Sequence, residues 1–451
     1  MGAEHVLEAP PPGSLYNSDA SRRRELAGHA DAVVLPGSAE QVAEVVRWCY
    51  AHDTPIVPRG GGTGLTGGAV PTEGGVVCSL ERLRGVRELA PELWRMHPEA
   101  GVTTRHVQRL ARENGLMFAP DPGAAEQSQI GGNVATNAGG PHALKYGVTG
   151  AWVTGLEAVL APGELVRIGG WARKDVAGYD LKSLLVGSEG TLGVITAVRL
   201  RLVPAPEARA PHVVFLRTPA AGCQAMLDIL AAGIQPSALE FVDGPMLEIV
   251  AGGYPGRVPA DATFALLVEV DGTRSEIGAQ RRVLLEVMGG VAVAIHEPAD
   301  VAALWRWREG FNPAATAVRG GKVSEDVAFP VERLAEGLER FAEIAARHSL
   351  RACAWGHGGE GNVHATVLVD PTSARELSAA RAIGEELFAL VGSLGGSIAA
   401  EHGVGWLKRG RLRLQWDERT VELHDEIKRA FDPKGLLNPG KKLARLPTPD
   451  S

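Results

Sequence analysis

The run Pro58-Arg59-Gly60-Gly61-Gly62-Thr63-Gly64-Leu65-Thr66-Gly67-Gly68 constrains this chain more than any other stretch. Its glycines leave backbone N–H groups unshielded by side chains. Such a turn can close around phosphate oxygens as a nest of donors, and Arg59 adds a positive charge beside it. Gly62-Thr63-Gly64-Leu65-Thr66-Gly67 formally matches the dinucleotide fingerprint G-x-G-x-x-G, and Glu81 falls about twenty positions on, as that pattern asks. The fingerprint also needs a strand before it and a helix after it. Thr54-Pro55-Ile56-Val57 reads as the strand. The helix is missing, because Pro71, Gly74 and Gly75 break it and Val76-Val77-Cys78-Ser79-Leu80 reads as a second strand. The unit is strand, glycine loop, strand. That context argues against a Rossmann site and leaves either a ligand-free glycine hairpin or a different anion cradle.

The glycine excess recurs along the chain. Of 451 residues 57 are glycine, about 13% against a usual 7%. They cluster at 59–75, 131–140, 187–193, 356–361 and 395–405, as expected of several approaches of backbone to ligand. At this length two domains are expected. A hydrophobic content of 45% and a charged content of 22% are those of an ordinary soluble protein, and a net charge of −7 argues against a nucleic-acid surface. Cys49, Cys78, Cys223 and Cys353 stand far apart with no C-x-x-C pair, which fits a reducing compartment and no iron–sulfur or zinc–cysteine framework. Met1-Gly2-Ala3-Glu4-His5-Val6 shows no signal-peptide pattern, and no apolar run reaches the roughly 18 residues of a membrane span. A cytoplasmic protein is expected, with peripheral attachment to a membrane left open.

Residues 1–29 read as a lead-in arm with a proline run and a basic Arg22-Arg23-Arg24 expected to be solvated. Residues 30–206 alternate short strands and helices. Ser38 caps a helix to about Cys49, Thr104–Asn114 is a second helix, and 153–160 is strand-like. Two further glycine loops follow at Ile130–Gly140 and Gly187–Gly193. Pro204 and Pro206 mark a boundary. Residues 207–405 read as α+β, with strands at 212–217, 263–270 and 291–296 and helices near 219–232, 274–288, 300–310, 331–347 and 375–394. Residues 406–451 form a C-terminal segment with one helix from about 419.

Three constellations carry chemistry. His357-Gly358-Gly359-Glu360-Gly361-Asn362-Val363-His364 sets two histidines about a tight turn, with His364 opening a strand. Glu401-His402 stands between small residues. Together they make a two-histidine, one-carboxylate metal set, suited to zinc, manganese or iron, with His402 left as a base. Trp305-Arg306-Trp307-Arg308 and Lys322 supply cations able to clamp a carboxylate.

Taken in order, Pro58–Thr63, Ile130–Gly140, Lys145-Tyr146-Gly147, Gly187–Gly193, His357–His364, Glu401-His402-Gly403 and Asn438-Pro439-Gly440-Lys441 resemble the FAD-linked oxidase family of D-lactate, D-2-hydroxyglutarate and glycolate dehydrogenases. The resemblance spans about residues 30–445. It implies an α+β, two-domain fold of the vanillyl-alcohol-oxidase (PCMH) type, with an FAD-binding domain over 30–206 and an α+β cap over 207–405. The segment 406–451 returns to the FAD domain. By the same resemblance the cofactor contacts fall on Arg59, Gly60, Gly61, Gly62, Thr63 and Gly64, then Gly132, Asn133, Thr136, Asn137, Ala138 and Gly139. Tyr146, Gly147, Glu189, Gly193, Ile195 and Asn438 complete them. Thr63 stands where some relatives tether the flavin through histidine, so FAD is expected to be non-covalent. A divalent metal, zinc or manganese, maps onto His357, His364 and Glu401. The base maps onto His402 and the substrate clamp onto Arg308 and Lys322. Glu360 and Thr366 depart from the family's usual Asp and Asn.

The implied activity is metal-assisted oxidation of a D-2-hydroxy acid, of the D-lactate, glycolate or D-2-hydroxyglutarate type, to the 2-oxo acid, with hydride passing to the flavin. The implied acceptor is external: a quinone, a cytochrome or an electron-transfer flavoprotein. A homodimer or an iron–sulfur partner subunit is the implied assembly. Two rival readings are a non-redox flavoenzyme like the ether-lipid synthases, and a non-catalytic flavin subunit of a larger oxidase.

Overall fold

The computed structural model describes residues 2–21, 26 and 28–442, and Arg22-Arg23-Arg24 lie outside the described residues. The chain forms two compact units. The first comprises Met1–Gly140, Gly147–Ala205 and Glu401–Ser451, and the second Pro141–Tyr146 and Pro206–Ala400.

In the first unit, among the described residues, Val6–Glu8, Ala32–Val34, Val76–Ser79 and Ile56–Arg59 make a four-stranded sheet in that order. Ile56–Arg59 and Val76–Ser79 are parallel neighbours, with Ile56 opposite Val76. Parallel neighbours need a connection of about a dozen residues or more. Residues 60–75 are therefore a crossover without a helix, not a hairpin. The helix Ala39–Ala51 begins where Ser38 Oγ accepts the Gln41 N–H at 3.3 Å. Its Val42, Val46 and Cys49 bury against Ile56, Val76 and Cys78, each such aliphatic side chain contributing about 1.5–3 kcal/mol. Leu437 bridges Ile56 from the C-terminal segment, so the sheet edge is covered rather than exposed. A second, antiparallel sheet runs Val86–Ala90, Arg95–Pro98, Val194–Arg201, Val153–Leu160, Glu164–Gly169. Ile130–Thr136, expected as a loop, is a short helix. Gly131 answers packing: a Cβ there would stand 2.5 Å from the Ala100 side chain.

The second unit is built on a seven-stranded antiparallel sheet in the order Ala294–His296, Ala208–Leu216, Phe264–Gly272, Ala238–Asp243, Ala352–Gly356, Asn362–Val369, Gly321–Ala328. Strand alternation turns Phe215, Val242, Leu267, Trp355 and Leu368 to one core, shared with the helices Gly244–Val250, Val301–Glu309 and Phe311–Arg319. Phe241 and Phe264 stack on the opposite face at 5.7 Å. The strands Ala238–Asp243, Gly321–Ala328 and Ala352–Gly356 escape sequence patterning. The first two turn polar side chains inward, Glu240 in one and Asp326 in the other, and that breaks the apolar alternation.

The six residues Pro141–Tyr146 leave the first unit and lodge in the second. His142 Nε2 lies 3.1 Å from Glu269 Oε1, Lys145 Nζ donates to Asp271 Oδ1 at 2.5 Å, and the Tyr146 hydroxyl donates to Asp271 Oδ2 at 2.8 Å. The expected boundaries at 206 and 405 do not include this excursion, and the chain returns to the first unit at Glu401. Asp271→Ala removes the carboxylate that accepts both the Lys145 and the Tyr146 donor, while Lys145 keeps its 3.0 Å bond to the Asp271 carbonyl oxygen. The substitution is expected to cost about 1–3 kcal/mol, whereas Glu297→Ala, which opens an exposed ion pair with Arg281, costs at most about 1 kcal/mol. Chemical denaturation of both variants checks the difference.

Candidate active site

In the first unit the three glycine-rich segments meet backbone to backbone. A Cβ on Gly60 would stand 3.5 Å from Gly132 Cα, and one on Gly61 would stand 2.1 Å from the Gln127 carbonyl oxygen. Gly187 N–H donates to Val134 O and Glu189 N–H to Ala135 O. Asn438 Nδ2 donates to both Gly68 O and Glu189 O, at 2.8 and 2.7 Å. None of the amides of Gly61, Gly62, Thr63 and Gly64 donates a hydrogen bond to the described residues. The buried acceptors Gln129 Oε1 and Asn438 Oδ1, and the Ser188 hydroxyl, also find no partner there. Buried polar atoms are almost always paired. A row of unpaired amides beside unpaired buried polar atoms fits a bound nucleotide with phosphate and ring edges to satisfy.

Several expected cofactor residues have other tasks. The Arg59 guanidinium folds back under its own loop and donates to Ser18 O at 2.7 Å. Asn133 is tied to Thr104 Oγ1 at 2.6 Å, Thr136 back-bonds to Gly132 O, and Asn137 Oδ1 caps the Gly150 N–H. Ala138 O accepts both the N–H and the hydroxyl of Thr149. These residues hold the second segment's shape. Gly147, in the left-handed region at φ 78, permits the turn out of the excursion. Gly193 and Ile195 pack inside the antiparallel sheet, where Ile195 pairs with Ala158. Tyr146 belongs to the second unit through Asp271. Gly139 admits Glu401: a Cβ there would stand 3.2 Å from Glu401 Oε2. His402 Nε2 lies 3.6 Å from Glu401 Oε1.

The second unit gathers the other expected residues. His357 and His364 set their rings perpendicular, with centroids 5.5 Å apart. Each has a buried carboxylate at Nδ1: Glu240 Oε1 at 2.5 Å from His357, and Asp326 Oδ1 at 3.8 Å from His364. The hydrogen bond to Glu240 orients the His357 imidazole and fixes its tautomer, whereas Asp326 is an ion-pair neighbour of His364 beyond hydrogen-bond length. Glu240 also receives Arg308, through Nε at 2.7 Å and Nη2 at 2.5 Å. Burial alone would raise the Glu240 pKa, but His357 and Arg308 beside it hold it well below the usual carboxylate range. Arg308 is thereby a brace for Glu240. Lys322 lies on the same face of the sheet, its Nζ 3.1 Å from Ser324 Oγ and over the Trp355 ring. Burial pulls its pKa down to about 8. Asp326 further accepts Asn362 Nδ2 at 2.7 Å and the Ala400 N–H at 3.0 Å, and Glu401 and His402 are the next two residues. Glu240 and Asp326 carry no sequence signal of their own, since each reaches its histidine only through sheet pairing.

Fold and cradle define a flavin-nucleotide oxidoreductase of the PCMH architecture. The chain superposes on p-cresol methylhydroxylase with substrate bound at a TM-score of 0.81 and 20% identity, covering 98% of this chain and 94% of that one. Residues 30–169 match an FAD binding domain, and residues 205–442 match the C-terminal domain of FAD linked oxidases. The chain belongs to the FAD-linked oxidase family. It is 35% identical over 435 residues to the glycolate oxidase subunit GlcD of Bacillus subtilis (strain 168), covering 96% of this chain and 92% of that one. It is 34% identical over 451 residues to the D-lactate dehydrogenase of Archaeoglobus fulgidus, covering 98% of each. Among the described residues no helix is long and apolar enough to cross a membrane.

Gly61→Ala forces the first segment away from Gln127 and is expected to yield protein depleted of flavin. Gly170→Ala, with nothing within 4 Å of the new methyl, retains it. The flavin-to-protein absorbance ratio of the purified variants distinguishes the two.

Proposed function

We propose that this chain oxidises a D-2-hydroxy acid of the lactate, glycolate or 2-hydroxyglutarate type to its 2-oxo acid. Electrons pass to an external acceptor, a quinone, a cytochrome or an electron-transfer flavoprotein. One observation carries the reading: two histidines with crossed rings, the first hydrogen-bonded at Nδ1 to buried Glu240 and the second with buried Asp326 3.8 Å away. The names of the relatives favour the same substrate class. In this proposal the first unit holds FAD and the second caps the substrate. His357 and His364, through their Nε2 atoms, and Glu401 form a donor set for zinc or manganese. When bound, the metal would polarise the substrate hydroxyl, and FAD would take the α-hydrogen with its electron pair.

The chain's own part is positioning and proton transfer. His402 accepts the hydroxyl proton, a role worth roughly 10²–10⁴-fold. The Glu401 carboxylate lies 3.6 Å from its Nε2. Lys322, a buried ammonium with an aromatic wall, pairs with the substrate carboxylate. Arg308 acts through Glu240, by keeping that carboxylate ionised against His357.

Anaerobic mixing with D- and L-2-hydroxy acids tests the reading. The flavin is expected to bleach with a D-acid. His402→Ala stays yellow and bleaches roughly 10²–10⁴-fold more slowly, and metal-stripped wild type bleaches about 10²-fold more slowly, in line with a contribution of several kcal/mol. Bleaching by none of the acids would sink the assignment, and undiminished bleaching after stripping would remove the metal from it. The Lys322 ammonium is present below its pKa of about 8 and lost as pH rises through it. The kcat/KM profile should therefore fall above about pH 8, and Lys322→Arg, which stays charged, should move that fall to higher pH.

A further inference from the structure

Glu189 is expected from sequence to touch the cofactor, but every polar group it carries is engaged elsewhere in the first unit. It is buried and held in the left-handed region at φ 55. Its N–H donates to Ala135 O, and its carbonyl accepts Asn438 Nδ2. Its carboxylate accepts the N–H of Val404 at Oε1, 2.9 Å, and the N–H of Gly405 at Oε2, 2.7 Å, while Lys442 Nζ approaches Oε1 at 3.3 Å. These amides lie two and three residues after His402.

The other side of the same turn is held by Thr66, from the first glycine segment. Thr66 Oγ1 donates to the His402 carbonyl at 3.2 Å, and Thr66 O accepts the N–H groups of Trp406 and Leu407 at 2.9 and 3.1 Å. No side chain fits between. A Cβ on Gly403 would stand 2.9 Å from Glu189 Oε1, and one on Gly405 would stand 2.3 Å from Thr66 O. Both glycines take positive φ, 82 and 50. Charge-assisted hydrogen bonds to two successive amides fix a turn in place and in orientation.

We propose that Glu189 and Thr66 are positioning residues for His402. They clamp the 402–407 turn to the two glycine segments of the cradle, so that the base is held at a set place relative to the cofactor-binding backbone. This rests on His402 being the proton acceptor. The side chain of Glu189 then serves the base and not the flavin.

Glu189→Gln keeps the shape but sets an NH2 group against a backbone N–H. The variant is expected to bind flavin at wild-type stoichiometry and to keep its KM for the hydroxy acid. Its limiting rate of anaerobic flavin reduction should fall on the order of 10²-fold, the usual result of misplacing a reacting group by about 1 Å. In a His402→Ala background the same substitution should leave the residual rate unchanged, because there is no base left to misplace; a general structural defect would lower it there too. Thr66→Val removes one hydrogen bond and should slow reduction by roughly tenfold. It serves as the test if Glu189→Gln does not fold. Loss of flavin at an unchanged thermal midpoint in Glu189→Gln would make the carboxylate a cofactor contact and overturn the proposal, as would a wild-type reduction rate in the folded variant. Full activity in His402→Ala would instead refute the assignment of the base, whatever Glu189→Gln does.

Discussion

Backbone lying directly against backbone is the constraint on which the first unit depends. Gly61 meets the Gln127 carbonyl at a distance that leaves no room for a methyl group, and Gly60 lies close enough to Gly132 that a methyl there would touch it. Asn438 then pins the first and third segments with its two amide hydrogens. The amides of Gly61–Gly64 are consequently fixed before any ligand arrives. A preformed donor row binds an anion without the ordering cost that a mobile loop would incur. Closeness of main chains, more than any charged side chain, makes the cradle.

The second unit solves a different problem, that of keeping carboxylates inside a protein. Glu240, Glu269, Asp271 and Asp326 are all nearly inaccessible. A buried carboxylate is tolerated when partners satisfy its lone pairs, and it becomes a liability when one partner is removed. Each here is answered: Glu240 by His357 and Arg308, Glu269 by His142 and Trp305, Asp271 by Lys145 and Tyr146, Asp326 by Asn362 and the Ala400 amide. Two of these serve the histidine pair, and two secure the excursion from the first unit. Orientation of the histidines and anchoring of the chain thus use one physical device on one face of one sheet.

Much of this was legible in the sequence, and the failures share a cause. The capped helix from Ser38, the strand before the glycine run, the absence of a Rossmann helix and the pairing of His357 with His364 follow from local pattern and short spacing. What local pattern could not show depends on long-range pairing. Glu240 reaches His357 across 117 residues and Glu189 reaches Val404 across 215. Inward polar residues also hid the strands that carry them, because a functional face looks like a solvated one. Arg59 was expected to face phosphate by virtue of its charge, yet its guanidinium supports carbonyls. Motif order fixes which segment approaches a ligand but not which atom of it does so.

The C-terminal segment imposes an order on synthesis. Ile56 is bridged by Leu437, and the amides around His402 are grasped by Glu189. On the ribosome, the first glycine segment therefore emerges some 380 residues before Leu437, whose bridge covers its sheet edge. Pro206–Ala400 has all its sheet partners within itself, so it can complete its core while the nascent first unit is still open. Residues 401–442 therefore join the first unit only after the chain of the second has been made.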